Sequence, residues 1–343
     1  MSQPDPNLWP HTLSRLAAHE SLTADESASV MRAIMAGEAT PGQIGGFLMA
    51  LRTKGETADE LEGLATTMLE FATPVMSPVP VADVVGTGGD RSGTFNISTV
   101  AAIVVAGAGV PVAKHGNRAA SSHCGSADVL EALGVRTDVS PKLAAECVDV
   151  AGVGFLFAPS HHPGFARMRH VRQQLGSRTV FNLLGPLSNP AAAKRQLLGV
   201  YSIALVEPLA QALKALGSED AMIVSSRDGL DELSLSGPTV VARLRGGRVT
   251  VTEVTPESLG LKRRPLKALA GGDANENAWI TRAVLFGESG PAREVCLLNA
   301  AAALMVAGLA RDWQDGLAMA EASIDSGRAA ASLAILRQLT VNG

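Results

Sequence analysis

The N-terminal part of the chain carries apolar residues at helical spacing, interrupted at intervals by glycine. Three segments open on a threonine that is followed three residues later by Glu or Gln, which is the arrangement of a capping box: Thr23 with Glu26, Thr40 with Gln43, and Thr57 with Glu60. Apolar side chains then recur three or four residues apart, and Gly37, Gly55 and Pro74 end the segments. The pattern predicts a helical domain over residues 1–73, in which residues 1–10 are irregular and three helices follow.

The pattern changes after residues 74–80, where three prolines indicate a linker. From residue 81 onward, short apolar runs alternate with helical stretches. We expect strands near 81–85, 110–114, 153–157, 197–202 and 220–225, with helices near 98–108, 126–134, 140–151 and 206–216. Such alternation is typical of βαβ units. Residues 81–343 are therefore predicted to form an α/β domain with a mostly parallel central sheet and helices on both faces.

Three later segments complete the predicted architecture. Residues 163–190 interrupt the alternation, and we expect a helix and a turn that leave the sheet and join the helical domain over about 163–186. Residues 239–253 are predicted to form a β-hairpin around Gly246 and Gly247. From Asn275 to about Leu339 the chain is Ala-rich and predicted to be helical.

Composition excludes several classes of partner. A net charge of −4 provides no basic surface for nucleic acid. The most apolar runs, 100–113 and 300–310, are shorter than the ~20 residues that a membrane-spanning helix needs. The cysteines Cys124, Cys147 and Cys296 are scattered and odd in number, which fits a reducing compartment and neither a disulfide framework nor a zinc site. With no secretory leader pattern at the N-terminus, we expect a cytoplasmic protein that contacts neither nucleic acid nor membrane.

Two glycine- and hydroxyl-rich turns follow the first predicted strand. Residues 86–90 (GTGGD) lack the last glycine of the dinucleotide fingerprint, where Arg91 stands, and the Gly-Lys-Ser/Thr of a Walker A loop. Residues 96–99 (NIST) open the next apolar helix, where Ser98 and Thr99 could cap the helix or help to hold a phosphate at its N-terminus. Each turn is consistent with phosphate binding and also with an ordinary tight turn or cap.

The next turn carries stronger chemistry. Residues 114–118 (KHGNR) place two cations, a histidine and an asparagine around one glycine, a composition that suits a polyanion: lysine as a point charge and arginine as a fork. Ser121 and Ser122 add hydroxyl donors, and Ser126 is predicted to cap the following helix. Because these turns follow neighbouring strands, we expect them to wrap one phosphorylated ligand beyond the carboxyl end of the sheet.

Two further pairs of residues are candidate metal ligands. Asp231 and Glu232 lie on irregular chain and could hold Mg²⁺, which prefers one or two carboxylates together with phosphate oxygens. A bare acidic pair is also common on protein surfaces, so this interpretation depends on the phosphate-binding turns. His161 and His162 are adjacent and cannot easily chelate one ion, and no third ligand lies nearby, so we do not expect a metal there.

Taken together, six segments resemble the anthranilate phosphoribosyltransferase family of tryptophan biosynthesis. They occur in the family's order: GTGGD at 86–90, NIST at 96–99, KHGNRAASS at 114–122, GSADVLEALG at 125–134, RTVFNLLGPLSNP at 178–190 and DGLDE at 228–232. The resemblance implies transfer of the 5-phosphoribosyl group from phosphoribosyl pyrophosphate (PRPP) to the amine of anthranilate, with release of pyrophosphate, as the second step from chorismate to tryptophan. It also implies a fold similar to that of nucleoside phosphorylases and a homodimer formed through the helical domain.

The resemblance also assigns roles to residues. A PRPP site is implied for Gly86, Gly89, Asp90, Thr94, Asn96, Ser98, Thr99, Lys114, His115, Gly116, Asn117, Arg118, Ala119, Ala120, Ser121, Ser122 and Ser126. Mg²⁺, as two ions, is expected on Ser98, Asp231 and Glu232, and anthranilate on Gly86, Asn117 and Arg172. The resemblance implies three catalytic residues: Lys114, Arg172 and His115. Lys114 is expected to neutralise the leaving pyrophosphate, and Arg172 is expected to pair with the anthranilate carboxylate. Because the anthranilate amine is unprotonated at neutral pH, His115 is expected to bind or orient rather than to act as an essential base.

Two other functions fit parts of this pattern. A pyrimidine nucleoside phosphorylase-like enzyme on the related fold would bind inorganic phosphate and need no acidic metal pair, so Asp231, Glu232 and the GTGGD turn disfavour it. A catalytically inactive, nucleic-acid-binding paralogue would carry a basic surface and eroded loops. The net charge of −4 and the intact turns disfavour that function.

Overall fold

Four helices form the N-terminal layer of the computed structural model, which describes residues 7–119 and 123–343. They are α1 (Leu8–Ala17), α2 (Ala24–Ala36), α3 (Pro41–Lys54) and α4 (Ala58–Glu70). All three predicted capping boxes are present, at the starts of α2, α3 and α4. The expectation of irregular chain at residues 1–10 and of only three helices was wrong because α1 begins at Leu8. Its N-cap, Asn7, makes no side-chain capping bond, so the usual signal of a helix start is missing.

The rest of the chain alternates between strands and helices as predicted. The elements are β1 (Ala82–Gly86), α5 (Ile97–Gly107), β2 (Val112–Gly116), α6 (Ser126–Ala132), α7 (Pro141–Ala151), β3 (Val153–Phe157), α8 (Ala158–His161), α9 (Phe165–Leu175), α10 (Phe181–Leu187), β4 (Arg195–Gly199), α11 (Val206–Ala215), β5 (Asp220–Ser226), β6 (Thr239–Arg245), β7 (Arg248–Val254), α12 (Ala274–Leu285), α13 (Pro291–Val306), α14 (Trp313–Asp325) and α15 (Arg328–Asn342). In the described part of the chain, no helix is long and apolar enough to cross a bilayer.

The seven strands form one sheet in the order β3-β2-β1-β4-β5-β6-β7. The first five are parallel, and the predicted hairpin, β6–β7, extends the sheet antiparallel to β5. The chain therefore runs outward from β1 in one direction to β3 and then returns to β4 on the other side of β1. Ligands bind at such a switch point, beyond the carboxyl ends of the strands.

Alternate residues of the strands face two different cores. Val84, Leu197 and Met222 pack with α5, α13 and α14, whereas Val85 and Leu198, one position along, pack with α11 and the N-terminal helices. This period of two is what a sheet covered on both faces requires. The segment 163–190 leaves the sheet as expected, because α9 packs on α3 and α10 packs on α4. The helical layer therefore meets the α/β layer beside the carboxyl ends of β1 and β4.

Candidate active site

The predicted phosphate-binding turns and the acidic pair meet at the carboxyl ends of β1, β2 and β4. The link is direct at Asp231, whose carboxylate Oδ2 accepts a hydrogen bond of 2.7 Å from the backbone N–H of Gly88. A Cβ at Gly199 would lie 1.6 Å from the carbonyl oxygen of Asp231, and a Cβ at Gly86 would lie 2.9 Å from its Oδ2. Gly86 and Gly199 are paired across β1 and β4. Two paired glycines therefore make the space in which Asp231 enters the site.

Glu232 points to the other turn. Its Oε1 accepts a hydrogen bond of 3.2 Å from the backbone N–H of Ser98, in the first turn of α5. Adjacent carboxylates thus contact two different turns, as expected for irregular chain. The predicted capping by Ser98 and Thr99 was wrong, because Asn96 is the N-cap residue and makes no side-chain capping bond. Within the first turn of α5, the Thr99 N–H donates to the Asn96 carbonyl, whereas the Ser98 N–H donates to Glu232, so a carboxylate already lies at the positive end of the helix dipole.

Lys114 is buried between these groups. Its ammonium donates to the carbonyl oxygen of Val84 and to the Ser98 hydroxyl, the latter at 3.4 Å. Burial lowers the pKa of Lys114, while the charges of Asp83, Glu232 and Asp231 raise it. The lysine therefore lies inside the site as a compensating charge for the acidic pair.

The acidic groups are poorly compensated without a further cation. Burial, followed by the charge of Asp90, raises the pKa of Asp231 to about 7. Burial, followed by the charge of Asp231, raises the pKa of Glu232 to about 8. Asp90 is half-buried, and its buried Oδ2 has no hydrogen-bond partner among the described residues. Two buried carboxyl groups beside a third with an orphaned oxygen fit a hard divalent cation.

Protein ligands alone do not complete a metal site. Among residues 7–119 and 123–343, no group of three His, Cys, Asp or Glu side chains is arranged to hold an ion by itself. Mg²⁺ usually keeps several water or phosphate ligands and takes only one or two carboxylates from the protein. The donor set of Asp231, Glu232 and the Ser98 hydroxyl therefore fits Mg²⁺ that shares its coordination with a phosphorylated substrate.

His115 lies at the end of β2 as a neutral, buried imidazole. Its Nδ1 is 2.8 Å from the carbonyl oxygen of Gly185, whereas its buried Nε2 has no hydrogen-bond partner among residues 7–119 and 123–343. Burial, followed by the neighbouring His162, lowers the pKa of His115 to about 3. The backbone N–H of His115 donates to Asp83 at 3.3 Å, and Asp83 also accepts from Asn189 at 2.8 Å. Asp83 and Asn189, which the sequence interpretation did not select, therefore hold this turn from behind.

A series of rings connects His115 with Arg172. The ring centroids of His115 and His162 are 5.1 Å apart, those of His162 and Phe165 are 5.6 Å apart, and those of Phe165 and Phe181 are 5.5 Å apart. The guanidinium of Arg172 lies over the Phe181 ring, 5.6 Å from its centroid. Burial lowers the pKa of Arg172, and in the part of the chain that the structure describes no carboxylate lies within 4 Å of it. A half-buried cation on an aromatic wall suits a small aromatic carboxylate.

Several predicted ligand residues already have protein partners. The Arg118 guanidinium, predicted to bind a polyanion, forms two hydrogen bonds of 2.6 Å with Glu131 and lies over the Phe157 ring. Asn96 donates to the carbonyl of Cys124 at 3.1 Å and accepts from Asn277 at 3.0 Å. Phosphate binding by Arg118 or Asn96 would require exchange of these contacts.

The remaining predicted residues line the same turns. Gly89 lies in turn 86–90, Thr94 lies between the two turns and forms an isolated bridge with Ala270, and Thr99 lies in the first turn of α5. Gly116 is the last residue of β2, and Asn117 and Ala119 follow it. Ser126 was expected to cap α6, but Gly125 is the N-cap residue, and its N–H donates to Asp128 at 2.8 Å. The Ser126 hydroxyl donates to the Asn117 carbonyl at 3.2 Å. The predictions for Ala120, Ser121 and Ser122 fall outside the described residues.

Comparison with known proteins gives a consistent result. One family model, "Glycosyl transferase family, a/b domain", matches residues 79–330, and another, "Glycosyl transferase family, helical bundle domain", matches residues 10–72. The chain is 54% identical to the anthranilate phosphoribosyltransferase of Rhodopseudomonas palustris over 94% of this chain and 95% of that protein. The crystal structure of the enzyme of that name from Thermus thermophilus is similar with a TM-score of 0.90 and 43% identity, over 96% of this chain and 99% of that one. The enzyme from Saccharomyces cerevisiae in complex with PRPP and Mg is similar with a TM-score of 0.90 and 29% identity, over 100% of both chains.

Proposed function

The chain belongs to the anthranilate phosphoribosyltransferase family, and we propose that it transfers the 5-phosphoribosyl group of PRPP to the amine of anthranilate, releasing pyrophosphate. The observation that carries the proposal is the meeting of Asp231 with the Gly88 N–H and of Glu232 with the Ser98 N–H at the switch point of the sheet. A phosphate-binding turn with buried carboxylates suits a ligand that arrives as a magnesium pyrophosphate ester.

The donor end of the site is built from the turns after β1 and β2. Gly86, Gly89 and Asp90 line one wall, and the N-terminus of α5, whose helix dipole attracts negative charge, lies beside them. The turn that follows Lys114 and His115 forms the other wall. We propose the full set implied by the family for PRPP, including Ala120, Ser121 and Ser122.

We propose that Ser98, Asp231 and Glu232 hold two Mg²⁺ ions together with the phosphates of PRPP. Bound Mg²⁺ supplies positive charge that offsets the negative charge developing on the pyrophosphate as the bond from C1 to oxygen breaks. Buried Lys114, which donates to the Ser98 hydroxyl and interacts with both carboxylates, adds positive charge beside them. The chain itself contributes positioning and electrostatic compensation, since the reaction needs no protein nucleophile.

The acceptor end of the site is proposed around Arg172, Asn117 and Gly86. The guanidinium of Arg172 lies beside the Phe181 ring and forms no ion pair with the described residues, which supports binding of a carboxylate attached to an aromatic ring. His115 has a low pKa and stays neutral, so it orients the acceptor by its free Nε2 rather than by charge. Anthranilate presents an unprotonated amine, and attack on the ribosyl C1 needs no strong base.

The test is to follow the loss of anthranilate fluorescence with PRPP and Mg²⁺. We expect loss that requires all three components. A parallel reaction supplies a pyrimidine nucleoside and inorganic phosphate, from which we expect no free base. Phosphorolysis in the second reaction and no change in the first would assign the chain to the phosphorylase function instead.

We further propose, on the family resemblance, a homodimer formed through the helical domain and a cytoplasmic location. The proposed domains are residues 1–73, joined by helices from about 163–186, and residues 81–343, with a linker at 74–80. All three cysteines are buried, and no disulfide joins them in the part of the chain that the structure describes, which fits a reducing compartment. Light scattering coupled to gel filtration would test the dimer, for which a mass of one chain at all concentrations would count against it.

A further inference from the structure

Arg178 lies between the helical layer and the glycine-rich turn 86–90. It lies in the segment between α9 and α10, and its guanidinium is 4.3 Å from the centroid of the Tyr201 ring, which follows β4. Burial, followed by the charge of Glu56, raises the pKa of the Tyr201 phenol. The phenol therefore stays neutral, and the contact is that of a cation on an aromatic face.

The guanidinium also packs against the backbone of Gly89. A Cβ at Gly89 would lie 2.9 Å from Nε of Arg178 and 3.3 Å from its Cζ. Gly89 has a φ of +76°, a conformation that glycine adopts readily and other residues avoid. Arg178 thus fills the space beside a turn whose conformation depends on glycine, and the turn cannot move toward Arg178 without displacing its guanidinium.

The helical layer holds Arg178 in place. Arg52, near the C-terminal end of α3, donates to the Ser177 hydroxyl at 2.9 Å and to the carbonyl oxygen of Arg178. The order of contacts is therefore Arg52, the backbone of Arg178, its guanidinium, and Gly89. This series joins the N-terminal helices to the turn that meets Asp231.

The guanidinium of Arg178 forms no ion pair with the part of the chain that the structure describes. Within residues 7–119 and 123–343, no carboxylate lies within 4 Å of its guanidinium. The guanidinium of Arg178 is planar, so it can stack on the Tyr201 ring and at the same time pack against the backbone of Gly89. A lysine retains the charge but not the plane.

We propose that Arg178 is a positioning residue of the donor site: packed between Tyr201 and Gly89 and anchored by Arg52, it fixes turn 86–90 in the conformation that binds the pyrophosphate group. This inference rests on the proposed function for its substrate. It adds a residue outside the set that the family resemblance implied, and it assigns the helical layer a role at the donor end as well as at the acceptor end.

The experiment compares Arg178→Ala, Arg178→Lys, Tyr201→Leu and Tyr201→Phe with the unaltered chain. We expect Arg178→Ala to raise the KM for PRPP about tenfold and to weaken binding of magnesium pyrophosphate, measured by calorimetry, to a similar extent. The KM for anthranilate should change less than twofold. Arg178→Lys should recover only part of the loss, and Tyr201→Phe should lose much less than Tyr201→Leu because it keeps the aromatic face.

Two controls make the result decisive. Arg32→Ala removes a surface arginine of the same helical layer, paired with Glu70, and should leave both KM values unchanged. Arg52→Ala should shift the KM for PRPP in the same direction as Arg178→Ala, but less. An unchanged KM for PRPP in Arg178→Ala, or equal rises for both substrates together with a lowered Tm, would overturn the inference. If the unaltered chain consumes no anthranilate, the proposed function fails, whereas the pyrophosphate titration still decides the role of Arg178.

Discussion

Neutralising the acidic pair should abolish activity and yet stabilise the metal-free protein at high pH. The perturbation is the double substitution Asp231→Asn with Glu232→Gln. Each amide keeps a carbonyl oxygen in place of the carboxylate oxygen that accepts from the Gly88 or Ser98 N–H. The geometry of the turns is therefore retained while two buried negative charges are removed.

The magnitude follows from the raised pKa values. The folded protein holds protons on Asp231 up to about pH 7 and on Glu232 up to about pH 8, well above their ordinary values. Their contribution to stability is therefore fully present below their ordinary pKa values of 3.8 and 4.5, and it is lost progressively as the pH rises from there to about 7 and 8. One pKa unit corresponds to about 1.4 kcal/mol. Because Lys114 loses two attractive charges in the double variant, we expect a net gain of only roughly 2–4 kcal/mol at pH 9, and less at pH 6.

The assay is urea unfolding at pH 6 and pH 9 in EDTA, together with turnover across a Mg²⁺ titration. We expect turnover to fall at least ~1,000-fold, with no recovery at high Mg²⁺. Asp228→Asn is the matched control in the same loop. Burial raises the pKa of Asp228, but hydrogen bonds from Ser234, Ser236 and Leu230 lower it overall, so this substitution should destabilise the protein and spare its Mg²⁺ dependence. Near-normal turnover of the double variant, or a loss of its stability at pH 9, would refute the reasoning.

Three further predictions concern the acceptor site, the buried histidines and the close approach at β4. Arg172→Ala should raise the KM for anthranilate about 10- to 100-fold and that for PRPP much less; equal effects on both substrates would remove its acceptor role. Burial, followed by His161, lowers the pKa of His162 to about 4, so its contribution to stability is present above pH 6.5 and is lost as the pH falls toward 4. Between pH 7 and pH 4, the free energy of unfolding of His162→Gln, measured with urea, should therefore fall by up to about 3 kcal/mol less than that of the unaltered chain. Identical pH profiles would contradict this. Gly199→Ala would place a Cβ 1.6 Å from the Asp231 carbonyl, so Tm and turnover should both fall, and an unchanged Tm would show that the Asp231 loop is not confined there.

The sequence predicted elements whose signals are local. The capping boxes at Thr23, Thr40 and Thr57 predicted helix starts correctly because each depends only on residues three positions apart. Helix α1 was missed because Asn7 provides no such cap, although Trp9, Thr12 and Leu16 lie on its buried face. Its stability comes from tertiary packing, which a local pattern does not reveal.

In the candidate site, too, local patterns did not predict contacts between distant segments. Turn composition left both 86–90 and 231–232 open between chemistry and ordinary surface structure, and only the family order of the motifs predicted their association. The burial of Lys114 among Asp83, Asp231 and Glu232 depends on three separate elements, so it could not be read from spacing. His162 and Arg178 were left without a role for the same reason. His162 contacts His115, which lies 47 residues away along the chain, and Arg178 contacts Gly89, which is also far away in sequence.

If this chain joins the ribosyl carbon of PRPP to the anthranilate amine, both products must appear together in one reaction. Pyrophosphate can be determined by ³¹P NMR and the anthranilate adduct by mass spectrometry. We expect one pyrophosphate for each adduct of phosphoribosyl and anthranilate, and neither product without Mg²⁺. Pyrophosphate released without an adduct, or an adduct formed equally well in EDTA, would contradict this expectation.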